Sequence, residues 1–295
     1  MIDYRYHALS LAAVLLALAL GVLLGVAIGD SNLVSSAKDG VVHNLQSELA
    51  GARRQAAVSQ EQLAHERSFA QGLYPLALHD LLPGREIGLM FLGEPSDEVN
   101  SLVRSAVAAA GASVATVVAV REPPDLAGIA REAAGTRYAA LAGEPSLVPA
   151  FAQIVGRQLV TGGQLVDREL ISRTRGSLLT AFDGELRSLE GVVVMRVEPA
   201  RESAAQAEAE AALDRGLLVG IGAAGVPAVG VELSGTSPSQ VPWYESAGIS
   251  SVDDLDELPG QAALVYALAG ERGTYGTKAT ASSLLPSIAE LPGAP

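Results

Sequence analysis

Hydrophobic and polar positions follow different patterns in three parts of the chain, and the first part is apolar throughout. Residues 8–28 carry no charge, and Ser10 is their only clearly polar side chain. A helix of this length reaches about 30 Å, which is the thickness of a bilayer's hydrocarbon core. The segment is apolar on every face, unlike an amphipathic helix at the surface of a soluble domain. We therefore predict a transmembrane anchor at residues 8–28.

The residues that flank this anchor indicate its orientation. Residues 1–7 contain one basic side chain, Arg5. Because positive residues favour the cytoplasmic side, the sequence predicts a cytoplasmic tail at residues 1–7, a single pass through the cell membrane and an extracytoplasmic bulk. A cleaved signal peptide is the alternative, since Ala27 and Gly29 loosely resemble a small-residue cleavage site. The apolar core of such a signal is usually about 7–15 residues long, which is shorter than this one.

Glycines recur every four residues near the end of the anchor, at Gly21, Gly25 and Gly29. Glycines with this spacing form a groove in which a second helix can approach closely. The alternative is that they have no specific role, because glycine is common in membrane helices. The first reading predicts that the anchor associates with a second copy of itself.

The second part of the chain, residues 30–73, is mainly polar and contains no proline. Its apolar residues recur at alternating intervals of three and four, which is typical of a coiled coil; about five heptads fit. The alternative is a single amphipathic helix that lies on its own domain. With the glycines of the anchor, the predicted oligomer contacts are Gly21, Gly25, Gly29, Val42, Leu45, Leu49, Ala52, Ala56 and Leu63.

The third part, residues 84–295, alternates β-branched runs with helical patterns, which is typical of a parallel sheet. We expect the spacer helix to end at Tyr74 and Pro75, and Ser96 to cap the first helix of the domain. Strands are predicted at residues 86–92, 113–120, 138–141, 191–197 and 226–233, and helices at 94–110, 126–134, 145–162, 202–215 and 261–268. The predicted fold class is therefore α/β, with a Rossmann-like, mainly parallel sheet after the anchor and the spacer.

Other stretches of this domain give weaker signals. Residues 168–189 have no clear pattern, and residues 234–248, which contain Trp243, are expected to be loop. Residues 220–225 match GxGxxG, but a predicted helix precedes them and a strand follows, which is the reverse of a dinucleotide site. The acids Asp253, Asp254 and Asp256 lack the spacing of a calcium-binding EF-hand loop, so we expect a solvated acidic loop.

Composition narrows the possible functions. The net charge of −13 argues against nucleic-acid binding, which needs a basic surface. The chain has no cysteine, and its four histidines all precede residue 84. Hydrolase triads that need histidine or cysteine, and zinc–thiolate sites, are therefore excluded from the third part. We expect a protein that is not an enzyme and that has no resident cofactor.

Several short segments resemble the MctB family of actinobacteria. They are YHALSLAAV at residues 6–14, its continuation from LALG at 18–21 to Gly25, SVD at 251–253, GTYG at 273–276 and LLP at 284–286. The order of anchor, coiled coil and α/β domain is similar along nearly the whole chain. The segment at residues 6–14 is the most specific part of the resemblance.

The resemblance implies copper transport by a pore-forming envelope protein, acting as an oligomer, that keeps intracellular copper low. SteB-like members of the family imply an alternative, a transmembrane coiled-coil adaptor that regulates peptidoglycan hydrolysis in cell separation with a partner protein. If copper is bound, His43, His65 and His79 are the imidazoles that could hold it across the chains of an oligomer. The expected partners are the lipid bilayer, a second copy of the chain, and an envelope or division protein.

Overall fold

The computed structural model describes residues 4–28, 31–162, 165–197 and 203–287. It divides into two compact units, Met1–Ser68 and Phe69–Pro295. Helix α1 spans Tyr4–Ile28 and helix α2 spans Ser31–Leu78. Among the described residues, one helix is long and apolar enough to cross a membrane, over Arg5–Ala27. Gly29 lies outside the described residues.

Helix α2 does not end at Tyr74 and Pro75 as predicted, because Pro75 lies inside it. Contacts within the second unit stabilise the turns beyond the proline. Leu78 is fully buried in the domain core. The hydroxyl of Tyr266 donates to the carbonyl of Ala77 and satisfies a carbonyl at the helix end. Tertiary packing therefore outweighs the local cost of the proline.

The second unit is built on one seven-stranded sheet in the order β3-β2-β1-β4-β5-β6-β7. All neighbouring pairs are parallel except β2 and β3, which are antiparallel. The strands are β1 Glu86–Leu92, β2 Ser113–Val120, β3 Leu179–Gly184, β4 Gly191–Arg196, β5 Ala228–Val231, β6 Ser250–Val252 and β7 Thr274–Tyr275. The predicted mainly parallel α/β fold is confirmed.

Seven further helices surround this sheet in the described residues. They are α3 Asp97–Ala109, α4 Leu126–Glu132, α5 Val148–Thr161, α6 Leu165–Leu178, α7 Ala204–Gly222, α8 Val241–Ser246 and α9 Leu258–Ala269. Ser96 caps α3 as predicted, accepting a hydrogen bond from the amide of Val99. The strand predicted at 138–141 is wrong, since a 3₁₀ helix occupies Arg137–Ala140. Tyr138 is buried there and packs edge-on against Phe151, a contact that the local pattern does not show.

The sheet has a hydrophobic core on each face. Alternate residues of a strand point to opposite faces, so Leu89 and Phe91 contact one core while Met90 and Leu92 contact the other. Helices α3 and α9 cover the first face, and helices α4 to α7 cover the second. Both faces are therefore closed, as is usual for a parallel sheet.

Helix α7 continues past its predicted end at residue 215, through Gly216 and Gly220, to Gly222. Gly216 and Gly220 are points at which α7 meets α5. A Cβ atom at Gly220 would lie 2.1 Å from the carbonyl oxygen of Gln153, and one at Gly156 would lie 2.1 Å from that of Leu217. Gly216 and Gly220, which lie beyond the predicted end of the helix, are therefore required for close helix packing.

The acidic segment after β6 is also different from the prediction. Asp253 and Asp254 are fully buried, so the expected solvated loop is wrong. Asp253 accepts hydrogen bonds from the amides of Thr277 and Lys278, which removes the cost of burying it. Residues 234–248, predicted as loop, contain helix α8, which includes Trp243.

Candidate functional site

The candidate site lies at the carboxyl edge of the sheet, where the strand order reverses. From β1 the chain passes to β2 on one side, and later to β4 on the other side of β1. Ligands of open α/β sheets bind in the crevice at such a reversal. Glu122 follows the end of β2 and Arg196 ends β4, so both lie at this edge.

Three acidic side chains meet there, and we call them the carboxylate cluster: Glu122, Glu210 and Asp214. One carboxylate oxygen of each lies within 4.8 Å of the other two. Asp214 is fully buried, Glu210 is 2% exposed, and Glu122 is partly exposed. Buried carboxylates are rare unless they are paired or bind a cation.

The position of two of these acids follows from helix geometry. Glu210 and Asp214 are four residues apart on α7, so they share one face of the helix. Leu217 and Ile221 continue that face and are fully buried in the core. The apolar end of the face fixes α7 on the sheet, and its acidic end is thereby held over the strand ends.

The guanidinium of Arg196 faces the cluster. Its Nε lies 3.7 Å from Oδ2 of Asp214. Its Nη1 donates to Oε1 of Gln240, and its guanidinium lies over the ring of Trp243, 5.0 Å from the centroid. Helix α8 thus holds the arginine in place. The arginine neutralises part of the cluster's charge, and its geometry with Asp214 is that of an ion pair without a hydrogen bond.

Burial changes the protonation of two cluster members. Burial, together with the negative charges of Asp214 and Glu210, raises the pKa of Glu122 to about 9. Burial raises the pKa of Asp214 to about 6, although Arg196 opposes the change. The direction of this shift favours the protonated form of Glu122. Crowded carboxylates cannot all ionise unless a cation compensates them.

Hydrogen bonds extend the site along the edge towards β7. Glu232, the residue after β5, accepts from the amide of Gln240 and from Nζ of Lys278, the latter at 2.6 Å. Nζ of Lys278 also donates to the carbonyls of Leu233 and Thr236. A polar network therefore runs from the C-terminal segment through Gln240 to Arg196.

This network accounts for two segments that the sequence analysis singled out. SVD at 251–253 is the end of β6 with Asp253, and GTYG at 273–276 contains β7. Gly276 has a φ of +137°, and a Cβ atom on it would lie 1.9 Å from Oδ1 of Asp253. These residues close the edge of the sheet; their described contacts are structural.

Two of the histidines considered as copper ligands, His43 and His65, are far apart within one chain. His43 and His65 are both exposed on α2, and their separation along the helix is about 33 Å at 1.5 Å per residue. His79 belongs to the other unit and is exposed beside Asp80, with 3.1 Å between Nδ1 and Oδ2. Copper binding by these side chains between chains stays a prediction.

The predicted oligomer contacts are exposed. Within the described residues, no atom lies within 4 Å of a Cβ built at Gly21 or Gly25. The side chains of the spacer's apolar seam point to solvent: Val42, Leu45, Leu49, Ala52, Ala56 and Leu63. Whether these surfaces meet a second chain, and whether α2 is part of a coiled coil, stay predictions.

Sequence reasoning missed the carboxylate cluster. One signal was present, because Glu210 and Asp214 are four apart in a helix that continues into leucines. Glu122 gave a second one, since it lies two residues after a buried strand. No pattern linked the two, because their meeting depends on the strand order of the sheet.

The structure defines a class of protein: an apolar N-terminal helix of membrane-spanning length, a long second helix, and a doubly wound α/β unit. The chain belongs to the MctB family, since the family model described as "Copper transport outer membrane protein, MctB" matches residues 1–286. It is similar to the copper transporter MctB of Mycobacterium bovis and to that of Mycobacterium tuberculosis. Each is 26% identical, over 94% of this chain and 96% of the relative.

Proposed function

We propose that this protein lowers the copper content of the cell as an oligomer in the cell envelope, with copper as transported ion rather than resident cofactor. Membership of the MctB family carries this proposal, because the relatives that match nearly the whole chain are named copper transporters. The role is not enzymatic. Helix α1 crosses the cell membrane once, and the bulk of the chain lies outside the cytoplasm.

The exposed apolar residues of both long helices support the oligomeric part of this proposal. Leu45 and Leu49 on α2 are 60% and 52% exposed, and α1 is apolar on all sides. In the working protein, lipid covers α1 except at Gly21 and Gly25, where a second copy packs. A second copy of α2 covers the spacer's seam as a coiled coil.

The experiment is to measure cellular copper in a deletion strain at low and raised external copper. The wild-type gene is returned as the control. Copper should rise in the deletion strain and fall again on complementation. Unchanged copper at both concentrations would contradict the transport role.

A second candidate function is that of a non-catalytic adaptor in cell separation, which regulates peptidoglycan hydrolysis with a partner protein. The observation that favours it is the exposed seam of α2, because such a seam suits a partner helix as well as a second copy. An adaptor needs only this interface and no path for an ion. A division defect with unchanged copper in the same deletion strain would favour this role.

A further inference from the structure

We propose that the carboxylate cluster binds one divalent cation that prefers oxygen ligands, of the Ca²⁺ or Mn²⁺ class. Nothing in the copper role requires such a site, and its ligand chemistry differs from that of a copper site. Carboxylate oxygens suit hard cations, whereas reduced copper prefers sulfur ligands. The inference therefore goes beyond the proposed function and is independent of it.

The first argument is geometric. Glu122, Glu210 and Asp214 each offer an oxygen, and these oxygens lie within 4.8 Å of one another. Two oxygens bound to one Ca²⁺ at about 2.4 Å are separated by at most ~4.8 Å. The three side chains are therefore spaced so that one ion can contact all of them with small adjustments.

The second argument is the state of Asp214, which is independent of the acidic composition of the cluster. This side chain is fully buried and points into the cluster. Neither of its carboxylate oxygens accepts a hydrogen bond of normal geometry among the described residues. Buried polar atoms in native proteins nearly always have a partner, and an exception often marks a missing ion or water. The ion pair with Arg196, at 3.7 Å, leaves both oxygens able to bind a cation.

The third argument concerns charge. Among the described contacts, Arg196 faces the three carboxylates, and its ion pair is with Asp214. Three acidic side chains beside one guanidinium favour a divalent cation, because the number of charged ligands sets the affinity of such sites. The guanidinium of Arg196 is fixed by its hydrogen bond to Gln240 and its contact with the ring of Trp243. It therefore does not fill the space among the carboxylates.

The location is consistent with an entry path for the ion. Glu122 is partly exposed, and it faces the carboxyl edge at which doubly wound sheets bind ligands. A Cβ atom at Gly93, the residue after β1, would lie 3.2 Å from Oε2 of Glu122. A side chain there would crowd this carboxylate, so the glycine keeps its approach open.

The test measures Mn²⁺ binding to the full-length protein in detergent after treatment with a chelator. The spectroscopic signal of free Mn²⁺ is followed by electron paramagnetic resonance during titration, and Ca²⁺ is then added as a competitor. The variants are Asp214→Asn and Glu122→Gln. The matched control is Asp254→Asn, which changes a fully buried carboxylate at the same edge but outside the cluster.

The wild type and the control should bind about one Mn²⁺ per chain, and Ca²⁺ should displace it. Each cluster variant should weaken binding by at least about tenfold. If circular dichroism shows that Asp214→Asn does not fold, Glu122→Gln decides. The proposal is overturned if the wild type binds no Mn²⁺, or if Glu122→Gln binds it as the wild type does.

Discussion

The two units of the molecule place their side chains in opposite ways. In α1 and the described part of α2 up to Ser68, large apolar side chains are exposed. In the α/β unit, the carboxylates of Glu210, Asp214 and Asp254 are buried. Exposed apolar surface is stable only where lipid or another chain covers it. Buried charge is stable only where a counter-charge, a proton or a cation compensates it. The apolar side chains of the first unit therefore require lipid or another chain to cover them. The buried carboxylates of the α/β unit require a counter-charge, a proton or a cation.

The largest effect is expected when the guanidinium of Arg196 is removed from the buried carboxylate cluster. Arg196→Met leaves Asp214 buried without its counter-charge, so unfolding free energy should fall by about 3 kcal/mol. Arg215→Met is the control, because Arg215 is exposed on the same helix; its effect should stay within about 0.5 kcal/mol. Denaturant unfolding measures both values. Equal losses would show that the ion pair with Asp214 does not stabilise the domain.

Glycines sharpen the comparison, because Gly216 and Gly220 of α7 are tightly packed whereas Gly21 and Gly25 of α1 are open. Gly220→Ala places a Cβ 2.1 Å from the carbonyl oxygen of Gln153. We expect the free energy of unfolding to fall by roughly 2–3 kcal/mol. Gly222→Ala is the control, because no described atom lies within 4 Å of a Cβ there, and its effect should stay within about 0.5 kcal/mol. A stable Gly220→Ala variant would contradict the packing of α5 on α7.

Two nearby acids should respond to pH with opposite signs. Burial, and then the charge of Asp253, raises the pKa of Asp254 to about 6. Its ionisation therefore costs stability as pH rises from about 4 through 6. Asp254→Asn should raise the melting temperature by a few degrees at pH 7, by roughly 2–4 °C, and by much less at pH 4.

Asp256 provides the contrast. Burial alone raises its pKa, but hydrogen bonds from the hydroxyl and the amide of Ser234 outweigh burial and lower it. The ionised form therefore stabilises the fold at neutral pH, and this contribution is lost as pH falls below about 4. Asp256→Asn should lower the melting temperature at pH 7 by roughly 2–4 °C. Thermal melts at both pH values compare the two variants, and shifts of the same sign at pH 7 would contradict this account.

The open glycines of α1 should affect assembly and leave the stability of the domain unchanged. Gly21→Leu with Gly25→Leu should reduce the mass measured by light scattering in detergent, because the two leucines fill the groove. Ala12→Leu with Ala19→Leu is the control, since these positions lie on the opposite face of the helix. An unchanged mass for the glycine variant would reject this face as an interface.

Sequence patterns were sufficient where the structure depends on neighbours along the chain. Strands β1 and β2 occupy the predicted residues, because β-branched runs between turn signals specify buried strands. The cap at Ser96 also follows from a local rule. A mainly parallel sheet then follows from the alternation of strands and helices.

The failures concern residues whose environment is set by distant parts of the chain. Gly216 and Gly220 resemble a loop until α5 is known to pack against them. Asp253 resembles a solvated acid until the amides of Thr277 and Lys278 are placed on it. The carboxylate cluster depends in the same way on strand order, which brings Glu122 and α7 together.

The most direct test of the central claim, that an oligomer formed through the long helices lowers cellular copper, compares two double variants in the deletion strain. Leu45→Glu with Leu49→Glu places charges in the exposed seam of α2. Asn44→Glu with Ser47→Glu adds the same charge outside it. Cellular copper is measured in both strains with the protein present at equal levels. We expect the control to restore low copper as the wild type does, and the seam variant to leave copper high. Low copper with the seam variant would contradict the account.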